Sequence, residues 1–350
     1  MTTLGEAARP RPVSTVGRVR RWALALLAGS LLAAGCGGGG DGTSSATTAT
    51  GAGSTTAAGQ ETGAAAPAGA KAITVVRRRR IGARTEEWTL RTPALDDPTH
   101  VRVLLPRGYR SDGSRRYPVL YLLHGASSDY RSWTRFGDAA AITARAPVIV
   151  VMPDGGTDGW YTDWYLGDRP TNPRWETYHV GELVPWVDAT YRTIAAQRGR
   201  AVAGLSMGGY GALSYAARHP TTFTAAASFS GALEIGSEAA WGPRSNSPAL
   251  WRSHLPISIA SRLKSLSLVE LRTGNGKPGP LDRRGTPRNC AACQIEAYLY
   301  TSNVRLHDRL RTLGIRHVWD DYGPGTHDWP YWRRDLRETL PDLVRVLARS

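Results

Sequence analysis

Ser206 lies between two glycines in a turn that connects a predicted strand to a predicted helix. The short apolar run Arg200–Leu205 precedes it, and helical spacing follows it as far as Arg218. A strand that reverses sharply into a helix strains the central residue, which requires small neighbours such as Gly204 and Gly208. The pattern is typical of a nucleophile elbow, in which a serine hydroxyl is exposed at the end of a sheet. Because Gly-x-Ser-x-Gly can occur by chance in a glycine-rich chain, the motif by itself is weak evidence for an active site, and other residues must support that interpretation.

A nucleophilic serine needs a histidine base, and His327 is the best placed of the eight histidines. It follows the last predicted strand, residues 318–320, so it should reach the same edge of the sheet as Ser206. The other candidates fall inside predicted helices, strands or an insertion. The order serine, acid, histidine is that of α/β-hydrolases.

Two carboxylates are candidates for the acid that orients His327. Asp282 is the first carboxylate after the predicted strand Leu268–Thr273, and Glu296 follows further along the chain. Glu296 is expected in the first turn of the next helix, where acidic residues are favoured for helix stability alone. We therefore predict Asp282 as the acid, with Glu296 as the alternative.

Two backbone N–H groups would stabilise the oxyanion formed during acyl transfer. The N–H of Met207 lies at a helix N-terminus, where the helix dipole favours negative charge. The second donor is predicted to be Ala126, since Gly125 lets the preceding loop approach closely. Ser206 would then attack an ester carbonyl, His327 would transfer the proton, and water or another alcohol would accept the acyl group. This chemistry needs no cofactor and no metal.

Short apolar runs alternate with helical patterns along the rest of the chain. This alternation predicts an α/β fold with a mostly parallel central sheet and helices on both faces. A long interval at residues 231–267 is interpreted as an irregular lid or wall. The predicted strands are 87–90, 100–105, Val119–Leu123, 148–152, Arg200–Leu205, Ala225–Phe229, Leu268–Thr273 and 318–320, with helices at 176–191, 207–218 and 331–347.

The N-terminal segment has the features of an export signal. Five arginines precede an apolar run, residues 22–32, that is short for a membrane span but suits a signal peptide. Small residues then lead to Cys36, which resembles the acylated cysteine of a bacterial lipobox. We predict a signal peptide at residues 1–36, a Gly/Ala/Thr/Ser-rich linker at 37–75 and a catalytic domain at 76–350. An ordinary secretory signal or an uncleaved anchor is the alternative. The domain would then be extracytoplasmic, held to the membrane by the lipid or secreted to the cell wall.

The formal net charge is +15, and about +11 would remain after removal of the predicted signal. Only three of the 44 basic residues are lysine. Since they are scattered and no recognition module is apparent, nucleic-acid binding is not expected. The cluster at residues 77–80 could contact anionic lipid, but a solvated segment is the preferred interpretation. Cys290 and Cys293 are predicted to form a disulfide, because a zinc site would need further ligands.

An ordered series of motifs resembles the putative esterase family, which includes esterase D and the antigen 85 mycolyltransferases. The resemblance extends from about residue 87 to the C-terminus and implies an α/β-hydrolase fold. It also implies Ser206 and His327 as nucleophile and base, Ala126 and Met207 as oxyanion donors, and an acid after the Gly-Asn-Gly turn. The motifs are His124-Gly125 and residues 151–156, 160–165, 175–177, 204–209, 241–243, 274–276 and 326–329.

Departures from the mycolyltransferase pattern bear on the substrate. His124 and Ser127 stand where those enzymes carry an Asp and an Arg tied to trehalose binding, so trehalose specificity is not expected. His124, Trp164 and Trp329 are candidate substrate contacts. The predicted function is an exported serine esterase. The alternatives are an acyltransferase with a sugar or glycerol acceptor, and a non-catalytic surface binding protein on a hydrolase scaffold.

Overall fold

The computed structural model describes residues 68–111, 113–165 and 172–348. The strands are β1 Thr74–Arg80, β2 Thr85–Arg91, β3 Thr99–Leu104, β4 Val119–Leu123, β5 Ile149–Pro153, β6 Arg200–Leu205, β7 Ala225–Phe229, β8 Leu268–Thr273 and β9 Val318–Asp321. The α-helices are α1 Ala68–Ala72, α2 Ser132–Arg135, α3 Ala139–Ile142, α4 Val184–Thr190, α5 Met207–Arg218, α6 Glu238–Trp241, α7 Pro248–His254, α8 Ala291–Thr312 and α9 Trp329–Ala348. A π-helix covers Thr177–Leu183, and 3₁₀ turns cover Thr143–Arg145, Gln197–Gly199 and Ala260–Ser265.

In the described chain the strands form one sheet in the order β1-β2-β3-β5-β4-β6-β7-β8-β9. The pairs β1/β2, β2/β3 and β3/β5 are antiparallel, and every pair from β5/β4 to β8/β9 is parallel. The carboxyl ends of parallel strands lie along one edge of the sheet, where ligands bind in such folds. The loops after β4, β6, β8 and β9 therefore converge on one region.

The central strands are buried on both faces, which explains their continuous apolar sequences. All residues of β4, β5 and β7 are buried. Leu120 of β4 packs in a cluster with Leu336 of α9, whereas its neighbour Tyr121 packs on the other side in a cluster with Leu213 of α5. Apolar side chains thus anchor the two helices to opposite faces and hold the strand ends in place.

A buried ionic network joins α9 to β8. The Arg272 guanidinium contacts Glu270 at 2.5 Å and Asp320 at 2.6 Å, and it donates to Thr339 of α9 at 2.9 Å. Burial of charge is costly unless the groups are paired and hydrogen-bonded, as they are here. The network connects β8, β9 and α9, which flank the loop that carries His327.

The predicted core strands match the structure, and the predicted fold class is confirmed. Strand β1 was not predicted as a strand: every residue in it is exposed, so it has no apolar alternation, and pairing with β2 alone defines it. It begins at Thr74, before the boundary predicted at residue 76. The interval 231–267, interpreted as an irregular lid or wall, contains α6, α7 and a 3₁₀ turn, and its residues Trp241, Trp251 and Leu263 are buried in the main core.

The predicted signal peptide, Cys36 and most of the predicted linker lie outside the described residues. In the part of the chain that the structure describes, no helix has both the length and the apolar character needed to cross a bilayer.

Candidate active site

Ser206 occupies the sharp turn between β6 and α5. Its backbone has φ 54° and ψ −119°, a strained combination for a residue with a side chain, which is characteristic of a nucleophile elbow. A Cβ on Gly208 would lie 2.5 Å from the His124 carbonyl oxygen and 2.6 Å from that of Leu123. Only glycine therefore allows the start of α5 to lie against the end of β4. Ser206 is 5% exposed, so only a small part of its surface is accessible.

His327 lies in the loop after β9, and its partner is Glu296. The imidazole Nδ1 is 2.7 Å from Glu296 Oε2, and the imidazole packs edge-on against Trp332, with centroids 4.9 Å apart. The backbone N–H of His327 donates to the carbonyl of Ala292 at 3.1 Å, in the first turn of α8. Both the ring and the backbone of His327 are thus held by α8.

The Glu296 carboxylate is fully buried, and its second oxygen is also bound. Oε1 accepts hydrogen bonds from Ser230 Oγ at 2.7 Å, Thr273 Oγ1 at 3.0 Å and Gly274 N at 2.8 Å. These donors lie at the carboxyl ends of β7 and β8. With Oε1 occupied in this way, Oε2 is the oxygen directed at His327.

Asp282, which we preferred from the sequence, does not contact His327, and Glu296 takes that place. Asp282 accepts from Thr326 Oγ1 at 2.6 Å, from Tyr331 Oη at 2.8 Å and from Gly279 N at 2.7 Å. Burial and this carboxylate raise the pKa of Tyr331. Asp282 therefore ties its own loop to the loop that carries His327. Glu296, the alternative from the sequence, lies in the second turn of α8 rather than the first, and its side chain is directed at the histidine.

In the described chain Ser206 Oγ and His327 Nε2 do not form a hydrogen bond, although their loops meet at one edge of the sheet. Catalytic hydrogen bonds are often long without substrate and shorten when it binds. The topology brings Ser206 and His327 to the same edge of the sheet.

The two predicted oxyanion donors flank Ser206. Met207 is the first residue of α5, and Gly125 lies so near that a Cβ on it would be 3.3 Å from Ser206 Cβ. Among the described residues, neither Met207 N nor Ala126 N has a hydrogen-bond acceptor. Two free N–H groups therefore lie beside the serine, one at a helix N-terminus and one in the loop after β4.

The three predicted substrate contacts have different environments. His124 is 1% exposed, and both of its ring nitrogens contact backbone atoms, so its contact with substrate stays a prediction that this environment does not favour. Trp329 packs against Trp332 with centroids 5.2 Å apart and against the exposed Phe136 at 5.7 Å. Trp164 is partly buried and donates to the Gly159 carbonyl at 3.2 Å. Trp332 thus contacts both His327 and Trp329.

The predicted disulfide between Cys290 and Cys293 is present in the structure. It encloses the start of α8, with Cys290 as the N-cap residue. Ala292, whose carbonyl accepts from His327 N, lies within this loop. The cross-link therefore constrains the turn that holds the histidine backbone.

Known protein sequences resemble this chain over most of the described fold. The family described as "Putative esterase" matches residues 92–343. Esterase Rv1288 of Mycobacterium tuberculosis is 44% identical over 168 residues, which cover 47% of this chain and 36% of that protein. The chain therefore spans about a third of the length of the curated esterases that it matches. Diacylglycerol acyltransferase/mycolyltransferase Ag85A of the same species is 31% identical, with 68% of this chain and 76% of that protein covered.

Solved structures show the same architecture. A ferulic acid esterase is 27% identical with a TM-score of 0.58, covering 75% of this chain and 98% of the other. Mycobacterium tuberculosis MPT51 has a TM-score of 0.61 at 23% identity and covers 76% and 100%. The second likeness concerns the fold alone. Together they agree with the α/β-hydrolase fold expected from the sequence.

Proposed function

The chain belongs to the putative esterase family, and on that premise we propose that it is a serine esterase in which Ser206, His327 and Glu296 form the catalytic triad. The observation that carries the proposal is the buried Glu296–His327 pair at 2.7 Å, at the same edge of the sheet as the strained Ser206. A nucleophile in a turn, a base in a loop and an orienting acid on a helix supply the three groups that acyl transfer through a covalent intermediate requires.

In the proposed first half-reaction, Ser206 Oγ attacks the ester carbonyl carbon while His327 Nε2 takes the hydroxyl proton. The carbonyl oxygen becomes an oxyanion and accepts hydrogen bonds from the N–H groups of Met207 and Ala126. Collapse of this intermediate breaks the bond to the alcohol, which leaves with the proton from His327. Glu296 stabilises the imidazolium that exists between these two transfers.

In the second half-reaction, water or another alcohol attacks the acyl-enzyme by the same route in reverse. His327 removes a proton from the incoming oxygen and returns it to Ser206 as the acyl group departs. Trp329 and Phe136 form an apolar surface next to the histidine. We assign this surface to the acyl or aryl part of the ester, because aromatic rings bury apolar area with few flexible bonds.

An acyltransferase is the second candidate, supported by the relative named diacylglycerol acyltransferase/mycolyltransferase. The two functions differ only in what attacks the acyl-enzyme. We expect hydrolysis to dominate for this chain, so that a glycerol or sugar acceptor leaves the yield of free acid from a soluble model ester unchanged. Chromatography of the products measures this partition. If the acceptor captures most of the acyl group as a new ester, the protein is a transferase. Comparing kcat/KM for model esters of increasing acyl chain length then defines which acyl group the enzyme prefers.

We further propose that the enzyme acts outside the cytoplasm, anchored by a lipid on Cys36. The supporting features are the basic and apolar N-terminal pattern and the disulfide at Cys290 and Cys293, since disulfides persist in oxidising compartments. Mass spectrometry of the mature protein should find an acylated cysteine at its N-terminus, and Cys36→Ala should release the protein from the membrane fraction. An unmodified N-terminus at another residue would refute the anchor.

A further inference from the structure

His124 has an arrangement that the catalytic proposal leaves unexplained. It directly follows β4 and is almost completely buried at 1% exposure. The backbone N–H of Gly155 donates to His124 Nε2 at 2.9 Å. Because a backbone N–H can only donate, Nε2 must accept and the ring proton must be on Nδ1. The geometry thus assigns the Nδ1–H tautomer; Asp154 Oδ1 also lies 3.4 Å from Nε2, but the Gly155 N–H takes the acceptor position of that nitrogen.

The Nδ1–H of this tautomer is directed at the peptide of the oxyanion loop. Nδ1 lies 2.8 Å from the carbonyl oxygen of Gly125, the next residue in the chain. In a trans peptide the C=O and the following N–H point in opposite directions. The N–H that follows the Gly125 carbonyl is that of Ala126. Holding this carbonyl towards the imidazole thus directs the Ala126 N–H away from it.

Two other side chains hold the carbonyls that precede Gly125. Trp133 Nε1 donates to the Leu123 carbonyl at 2.9 Å, and Tyr161 Oη donates to the His124 carbonyl at 2.9 Å. Tyr161 itself has a positive φ of 46°, a strained conformation that often marks functional segments. Three successive carbonyls are thus bound to side chains, and the Ala126 N–H remains free beside Ser206.

We propose that His124 is a positioning residue that keeps the Gly125–Ala126 peptide in the orientation required for the oxyanion hole. This inference rests on the proposed serine esterase function. Without the Nδ1–H donor, the peptide can rotate so that a carbonyl oxygen, rather than an N–H, faces the developing negative charge. Loss of one oxyanion donor typically costs about 10²-fold to 10³-fold in kcat.

A matched pair of variants separates this role from general destabilisation. Asn places its amide nitrogen as far along the side chain as His Nδ1, so His124→Asn can still donate to the Gly125 carbonyl. Gln reaches as far as Nε2, so His124→Gln can accept from Gly155 but cannot hold Gly125. Each variant loses one of the two ring contacts, and thermal melts show whether both are folded at the assay temperature.

We expect His124→Gln to lose about 10²-fold in kcat with little change in KM, and to lose affinity for butylboronic acid by a similar factor. That compound forms a tetrahedral adduct with an active-site serine and so probes the oxyanion hole. His124→Asn should retain most of both quantities, because its amide NH₂ can still donate to the Gly125 carbonyl. Equal losses in the Asn and Gln variants would overturn the positioning role.

Nitrogen NMR of the wild-type imidazole provides a second test that does not depend on a variant folding. The proposal requires a proton on Nδ1 and an unprotonated Nε2 for His124, and the opposite tautomer or a charged ring would refute it. The esterase function fails separately, if the wild-type protein shows no cleavage that depends on Ser206. If the wild type cleaves esters and both His124 variants keep the wild-type kcat, the positioning role is refuted and the esterase function stands.

Discussion

Replacing Ser206 by Ala should lower kcat for ester cleavage by about 10⁶-fold, the effect seen when the nucleophile of a serine hydrolase is removed. No other hydroxyl can form the acyl-enzyme from the turn between β6 and α5. The backbone strain at this position, with φ 54°, is the same for Ala as for Ser, since both carry a Cβ. The variant should therefore fold normally.

A fluorophosphonate probe provides the measurement, because it phosphonylates an activated serine and the added mass can be mapped to a peptide. Wild-type protein should carry the label on Ser206, and Ser206→Ala should carry none. The matched control is Ser214→Ala, on the same helix, where the hydroxyl donates to the His254 carbonyl at 3.3 Å. It should be labelled like the wild type. A folded wild type that stays unlabelled would favour a non-catalytic binding protein.

Glu296→Gln should lower kcat by about 10⁴-fold, as when the triad acid of a serine protease is replaced by its amide. The N–H of Gly274 donates to Oε1 at 2.8 Å, so a Gln must place its carbonyl oxygen there. Its amide NH₂ then faces His327 Nδ1, where the wild type has an acceptor at 2.7 Å. Nδ1 would have to accept, the proton would move to Nε2, and His327 could no longer take the proton of Ser206.

Asp282→Asn is the control for this variant, because it makes the same change from carboxylate to amide in the neighbouring loop. Its contacts are with Thr326, Tyr331 and Gly279, so we expect reduced stability and retention of most of the activity. Steady-state kinetics on one model ester, with thermal melts of both variants, make the comparison. A greater loss of kcat in Asp282→Asn than in Glu296→Gln would restore Asp282 as the acid.

The choice between these two carboxylates shows where inference from sequence stops. Chain order places both Asp282 and Glu296 after β8 and before His327, as an α/β-hydrolase requires. Asp282 is nearer to β8 and lies in a loop, whereas Glu296 lies in the following helix. We therefore preferred Asp282 from the sequence, although Glu296 is the residue that contacts His327. Helix α8 packs so that its second turn lies beneath the histidine, and that docking depends on side chains from β7, β8 and the helix together.

His124 is a similar case. We predicted a substrate contact for it because it stands where the mycolyltransferases carry an Asp tied to trehalose binding. The structure instead buries it against Gly155, a contact across 31 residues of chain. Strand β1 was missed for the opposite reason: all its residues are exposed, so no alternation of apolar residues marks it.

The amino-acid sequence by itself determined the fold class, the bounds of the central strands, the elbow around Ser206 and the loop that carries His327. These features depend on local patterns: apolar runs of strand length, small residues at a strained turn, and chain order. Tertiary structure alone decided that Glu296 is the partner of His327 and that His124 contacts the oxyanion loop. Both contacts join segments far apart in the chain, and their geometry is set by how helices and loops pack on the sheet, which no local pattern encodes.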